Sequence, residues 1–151
     1  MRKLAIVAAL SALAATPAFA SGEGRVEARG GLATCCNTEE AFLGVAAGYD
    51  FDLGEKAFIG IEGSADKILV DGSDVLFGVA ARVGAKAGEN TRLYAVGGMG
   101  FADGDSDPFL GAGAQFGFGG RAYGKLEYRR VITSGGLPDV NFFGAGVGVR
   151  F

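Results

Sequence analysis

The residues from Asn141 to Phe151 alternate without interruption: Phe143, Ala145, Val147, Val149 and Phe151 fall on one side of an extended chain, with Phe142, Arg150 and small or polar residues on the other. Successive side chains of a strand point to opposite faces, so this segment presents one continuous apolar surface. A face of this kind, finishing on an aromatic residue, predicts a lipid-facing strand that stops at a membrane interface.

The N-terminus says where such a strand would be used. Arg2 and Lys3 precede an apolar run from Leu4 to about Ala15, and Ala18-Phe19-Ala20 has the small-x-small pattern of a signal-peptidase site. Residues 1–20 are therefore expected to be a cleaved signal peptide, with 21–151 as the mature domain. The run is too short and too alanine-rich for a good spanning helix, and a buried N-terminal helix would account for neither the basic start nor the cleavage site. Removing Arg2 and Lys3 from the 14 Lys and Arg leaves 12 basic residues against 17 acidic ones. An acidic chain without a basic cluster is a poor nucleic-acid binder, because affinity for phosphate backbones rests on Lys and Arg.

Eight segments of about ten residues carry the strand period. The first, near Arg25 to Ala33, sets Val26, Ala28, Gly30 and Leu32 against Arg25, Glu27 and Arg29. The second, about Ala41 to Phe51, sets Leu43, Val45, Ala47, Tyr49 and Phe51 against Gly44, Ala46, Gly48 and Asp50. In the third, Ile59 and Ile61 oppose Glu62 and Ser64; in the fourth, Val75, Phe77, Val79, Ala81 and Val83 oppose Gly78, Ala80, Arg82 and Gly84. The fifth, about Thr91 to Phe101, fits either facing, because Leu93, Ala95, Met99 and Phe101 compete with Tyr94 and Val96. The sixth, Phe109 to Phe118, is glycine-rich, the seventh sets Leu126 and Tyr128 against Lys125, Glu127 and Arg129, and the terminal strand is the eighth. The 28 glycines, spread through apolar alternating segments, suggest strands that pack closely around a narrow barrel.

Ten residues at about 3.3 Å each, tilted by about 40°, cross roughly 25 Å, the height of the apolar band of an outer-membrane barrel. Backbone groups in hydrocarbon have no water to bond, so such strands must close on themselves, and an even number brings both ends to one side. Tight turns are expected at Asp52–Lys56, Lys86–Asn90 and Gly119–Arg121, and longer outward loops at Thr34–Glu40, Asp66–Asp74, Ala102–Pro108 and Ile132–Asp139. The outward set carries Glu39, Glu40, Asp66, Asp71, Asp74, Asp103, Asp105, Asp107 and Asp139 against Lys67, which predicts an acidic outer rim.

The signal peptide, the eight glycine-rich strands, the penultimate Leu126-Glu127-Tyr128-Arg129 and the terminal Phe143-x-Ala145-x-Val147-x-Val149-x-Phe151 together resemble the small outer-membrane proteins of the opacity-protein and OmpA-like barrel group. The resemblance covers the whole mature chain. It implies that Phe143, Val147, Val149 and Phe151 form the signal read by the barrel-assembly machinery. Members that act as adhesins tend to have long outer loops, and those that anchor the envelope add a periplasmic peptidoglycan-binding domain; neither is expected here.

An eight-stranded barrel is just wide enough for side chains to fill it. The inward set would hold Arg25, Glu27, Arg29, Asp50, Glu62, Arg82, Lys125, Glu127 and Arg129, whose opposite charges are expected to pair into a lumenal plug, because an unpaired buried charge is costly. The competing arrangement is a gated ion path past Arg82 and Arg129. A soluble lipocalin-like barrel would need the reverse placement, apolar inside and charged outside.

The chain has no histidine, so neither a Ser-His-Asp/Glu site nor a His-ligated zinc can be built. A carboxylate pair such as Glu27 with Glu127 could serve acid-base chemistry, but Arg29 and Arg129 beside them favour ion pairing. Asp103-Gly104-Asp105-Ser106-Asp107 imitates the start of a calcium loop, yet Pro108 replaces the turn glycine and Ala114 the bidentate Glu. That leaves a solvated acidic turn, with weak Ca²⁺ or Mg²⁺ binding as the alternative. Gly111-Ala112-Gly113-Ala114-Gln115-Phe116-Gly117 has one residue too many for a dinucleotide fingerprint and lacks its βαβ context. Cys35-Cys36, in the first outward loop, is expected to be a strained vicinal bridge or two free thiols; no further Cys or His supports a redox or metal role.

The expectation is an all-β, eight-stranded antiparallel up-and-down transmembrane β-barrel following a cleavable N-terminal signal peptide. It would be non-enzymatic and without cofactor or metal, in the bacterial outer membrane with both termini periplasmic. Its lumen would be plugged, and it would serve envelope structure or surface interaction through short acidic loops; the alternative is a narrow porin-like channel or small-solute barrel. Its partners would be outer-membrane lipid, the barrel-assembly machinery during biogenesis and an unidentified surface partner.

Overall fold

The computed structural model describes residues 22–102, 104–133 and 138–151; the expected signal peptide at 1–20, Ser21 and Asp103 lie outside them. Every described element is a strand: β1 (Gly22–Cys35), β2 (Thr38–Leu53), β3 (Ala57–Ile68), β4 (Val75–Lys86), β5 (Thr91–Ala102), β6 (Asp105–Gly117), β7 (Ala122–Val131) and β8 (Val140–Arg150). Each pairs antiparallel with its neighbour in sequence, and β8 returns to β1 from Arg25↔Arg150 to Thr34↔Asn141, so the sheet closes as an eight-stranded barrel. Closure continues one residue past β8. The Gly24 N–H donates to the Phe151 carbonyl at 2.8 Å, and the Phe151 N–H donates to the Gly24 carbonyl at 2.9 Å.

The alternation places charge inside and hydrocarbon side chains outside. Leu43, Val45, Ile59, Ile61, Val79, Val83, Leu93, Leu110, Leu126, Phe143 and Val147 are all exposed on the outer surface. In water such a belt would far exceed the few hundred Å² of contiguous apolar surface that a soluble monomer shows, so this face is made for lipid. The soluble lipocalin-like arrangement is thereby overturned. In β5, Tyr94 and Val96 are buried in the lumen while Leu93 and Phe101 face out, because the register sets Tyr94 beside Gly84 and Val96 beside Arg82 on β4.

Glycine makes the narrow interior fillable. A Cβ added to Gly84 would lie 2.7 Å from the Phe58 ring, and one added to Gly148 would lie 2.6 Å from the ring of Tyr123. Large inward side chains are thus seated against bare backbone on a neighbouring strand. The same device works on the outside at the seam, where a Cβ on Gly24 would come within 2.6 Å of the Phe151 ring.

Two of the expected long loops are not loops. The Thr34–Glu40 segment continues the β1–β2 ladder to Cys35↔Thr38, leaving only Cys36 and Asn37 in the turn, both with positive φ (55° and 64°). The Ala102–Pro108 segment likewise pairs Ala102 with Asp105, so Asp105 and Asp107 belong to β6, not to an acidic turn. Beyond the hydrocarbon both faces of a strand meet water, the alternation that reveals it disappears, and polar residues there look like loop. Asp66, expected on the outer rim, sits in β3 and points into the lumen, and Arg130 joins Lys67 as a basic residue on that rim.

The covered glycine at the seam generates a test. Gly24→Val should displace the Phe151 ring and lower the fraction of fast-migrating, unboiled barrel in detergent gels. Gly63→Val, where an added Cβ meets nothing within 4 Å, should leave it unchanged. Equal folded fractions would contradict the packing described.

Candidate functional site: the charged lumen

The inward faces of β1, β3 and β7 carry most of the buried charge, and Asp50 of β2 and Arg82 of β4 join it in the lumen. Five cations, Arg25, Arg29, Arg82, Lys125 and Arg129, meet five anions, Glu27, Asp50, Glu62, Asp66 and Glu127, all with side chains almost wholly removed from solvent. The cluster is electrically neutral. The structure therefore brings together the nine charged residues expected to face inward, Asp50 of β2 among them, and adds Asp66.

Glu62 is the hub. Its carboxylate lies 2.8 Å from Arg25 Nη1 and 3.4 Å from Arg29 Nη1, and it accepts from Arg129 Nη2. Arg29 also forks onto Asp66, with Nε donating to Oδ1 at 2.7 Å and Nη2 to Oδ2. The same bidentate arrangement joins Arg82 to Asp50, with Nε donating to Oδ1 at 2.8 Å. Lys125 donates to Glu27, and Arg129 Nε donates to Glu127. Fork geometry of this kind adds direction to charge and suits Arg rather than Lys.

Neutral side chains complete the shell. Tyr94 Oη donates to Glu127 Oε2 at 2.6 Å, and Tyr123 Oη donates to Glu27 Oε2 at 2.7 Å. Gln115 Oε1 accepts from Arg82 at 3.3 Å, and the Arg82 guanidinium lies over the Tyr94 ring, 4.8 Å from its centroid. Gln115, Tyr94 and Tyr123 were not among the expected lumen residues: Gln115 sits in a glycine-rich apolar strand, and the tyrosines read equally well as lipid-facing aromatics. The large residues opposite inward glycines were the available signal. Only Arg25 meets its carboxylates without aligned hydrogen bonds.

Two further layers bound the network. Toward the rim that carries Gly22 and Phe151, Arg92 pairs with Glu23, and Arg150 approaches the same carboxylate at 3.7 Å. Toward the opposite rim, Ala33, Phe42 and Phe142 form a buried apolar cluster with Ile68, Leu76, Val131 and Val140 packed against it. The Phe42 and Phe142 rings meet edge to face, 5.2 Å between centroids. The lumen thus holds paired charge in its middle and an apolar aromatic layer toward one end.

That opposite rim holds the remaining residues singled out from the sequence. Cys35 and Cys36 carry free thiols with sulfurs 2.7 Å apart. Asp105 is exposed at the start of β6, and Asp107 is half-buried on its inward face. Asp139 is held below the usual carboxylate range by Arg130, whose Nε donates to it at 2.8 Å. Among the described residues no group of three or more Cys, Asp or Glu is arranged to hold a metal. Phe143, Val147, Val149 and Phe151 lie in a row on the outer surface of the closing seam.

The hub position of Glu62 makes its charge testable. Glu62→Gln leaves five cations facing four anions and should destabilise the barrel by about 3–5 kcal/mol, as removal of one partner from a buried ionic cluster does. The exposed Glu39→Gln should change stability by less than about 0.5 kcal/mol. Urea unfolding in detergent micelles, followed by circular dichroism, measures both; a loss below about 1 kcal/mol for Glu62→Gln would contradict a tightly coupled network.

Known structures share this architecture at low sequence identity. The N-terminal β-barrel domain of Pseudomonas aeruginosa OprF aligns over 85% of this chain and 97% of its own, at 16% identity and a TM-score of 0.66. Ail, the attachment invasion locus protein of Yersinia pestis, aligns over 86% and 97%, at 15% identity and a TM-score of 0.62. Neisserial surface protein A covers the same shares at 12% identity and a TM-score of 0.58. No curated protein matches the chain in sequence. Residues 5–151 match the family described as outer membrane protein beta-barrel domain. With a closed eight-stranded barrel, a lipid-facing apolar belt and a family match over nearly its whole length, the chain belongs to the outer membrane protein beta-barrel domain family.

Proposed function

We propose that this chain is a non-enzymatic, non-conducting outer-membrane barrel that serves envelope structure or surface interaction through the rim opposite its termini. The carrying observation is the neutral, mutually bonded charge cluster stacked beneath the Phe42–Phe142 layer. An ion crossing this lumen would have to separate Arg82 from Asp50 or Arg129 from Glu62 and then pass an apolar constriction, which opposes permeation by dewetting. The absence of histidine from the sequence supports the non-enzymatic reading, since the commonest general base and metal ligand is missing.

The termini lie in the periplasm and the Cys36-Asn37 turn faces outward. This orientation rests on connection length: the strand ends at the rim away from Gly22 and Phe151 are joined by six residues after Ile68 and eight after Val131. The outward rim then carries Glu39, Glu40, Asp71, Asp74 and Asp105 against Lys67, with Arg130 already paired to Asp139. Ail has been solved with the heparin analogue sucrose octasulfate. The acidic rim here disfavours such a polyanion and suits a cationic or cation-bridged surface partner. Phe143, Val147, Val149 and Phe151, at the end of the closing strand, form the signal for the barrel-assembly machinery.

Planar-bilayer recording of refolded protein should show no reproducible single-channel steps; such steps would overturn the plugged reading. On intact cells, a membrane-impermeant maleimide should label the native cysteines at the Cys36 turn, and labelling only after outer-membrane permeabilisation would reverse the orientation. Phe151→Ala should reduce outer-membrane insertion several-fold more than Asp71→Ala, as read by fractionation. Equal insertion would remove Phe151 from the assembly signal.

A further inference from the structure

The tip of the β1–β2 hairpin brings two nucleophilic groups together where fold and plug need none. Cys35 is the last residue of β1 and Cys36 the first of the two-residue turn. Cys36 and Asn37 both adopt left-handed backbone (φ 55° and 64°), the pair of conformations that a tight two-residue hairpin demands and that asparagine and glycine usually supply. A cysteine at the first of these positions is strained, so packing economy does not account for it. The turn directs both sulfurs to one side, 2.7 Å apart, with Cys36 exposed and Cys35 half-exposed. Thr34, Asn37, Thr38, Glu39, Asp139 and Asn141 line the open polar recess around them, with Asp139 already held by Arg130.

The chemistry of the donor set selects its ligand. Two adjacent thiols with no third Cys, Asp or Glu arranged with them among the described residues cannot build a tetrahedral zinc or iron site. Thiolates bind soft centres, so the ligand is a thiophilic atom satisfied by two sulfurs. Digonal ions such as Cu(I) or Hg(II) prefer sulfurs on opposite sides of the metal, which neighbours in one tight turn cannot provide. A pyramidal centre takes two sulfurs close together on one side and keeps a small third ligand facing solvent. Trivalent arsenic is such a centre.

We propose that the Cys35–Cys36 turn is a surface binding site for trivalent arsenic in its hydroxide form. Arsenous acid, As(OH)₃, condenses with both thiols: two S–H and two As–O bonds break, two S–As bonds form, and two waters leave. Arsenic stays trivalent and sulfur is not oxidised, so the step needs no oxidant or reductant. The third hydroxide remains on arsenic and points to solvent. The lumen takes no part, and the site is independent of whether the barrel conducts.

The test uses refolded full-length mature barrel in detergent micelles, reduced with a phosphine and freed of it. Intact-mass spectrometry after maleimide treatment should show two additions without arsenite and none after arsenite at modest excess, with both restored when a small dithiol strips the arsenic. Cys35→Ser and Cys36→Ser, which keep the hairpin, should each take up one maleimide whether or not arsenite is present. Three results would each overturn the proposal: two additions despite arsenite, equal protection of the single-cysteine variants, or thiols that reduction never makes reactive. Protection by Hg(II) but not by arsenite would overturn the pyramidal selection.

Discussion

Everything in this barrel depends on a confined lumen whose charges must cancel. Eight strands close with both ends at one rim, and the narrow cylinder they form is lined by inward-pointing large and charged side chains. Charged groups sealed in that space lose their water and must replace it with one another. Five cations against five anions satisfies the requirement, and Glu62, in contact with Arg25, Arg29 and Arg129, ties β1, β3 and β7 into one electrostatic unit through residues far apart in sequence. The outer belt is the complement of this arrangement: alternation along each strand means that committing one face to charge commits the other to lipid.

Filling so narrow a space also explains the glycine content. Phe58 and Tyr123 would collide with any side chain at Gly84 and Gly148, so the bulk of one strand is matched by its absence on the next. At the seam the same complementarity joins β1 to the end of β8. Phe151 both extends the β1–β8 ladder through its backbone and covers Gly24 with its ring, which links the terminal aromatic residue to closure itself.

The barrel, its strand number and the nine expected charged lumen residues were legible in the sequence because hydrocarbon on one side and a packed lumen on the other enforce a period of two. Where that contrast fades, legibility fades with it. Glu39 and Asp105 extend strands into water, where neither face is buried and polarity carries no register, so two hairpin turns read as loops. Tyr94 and Val96 are apolar residues facing inward, and only pairing with Gly84 and Arg82 decides their side. Asp66 looked like rim because the level at which Arg29 ends is set by cross-strand register, which no single strand displays.

The most direct test of lumenal charge pairing is a double-mutant cycle on Asp50 and Arg82, the bidentate pair buried in the barrel. Unfolding free energies of Asp50→Asn, Arg82→Gln and the double variant, measured in the same detergent, should show a coupling of at least about 1.5 kcal/mol, with the double variant less damaged than the sum of the singles. Additivity within about 0.5 kcal/mol would mean that the two charges do not hold each other, and the lumen would have to be stabilised by packing alone.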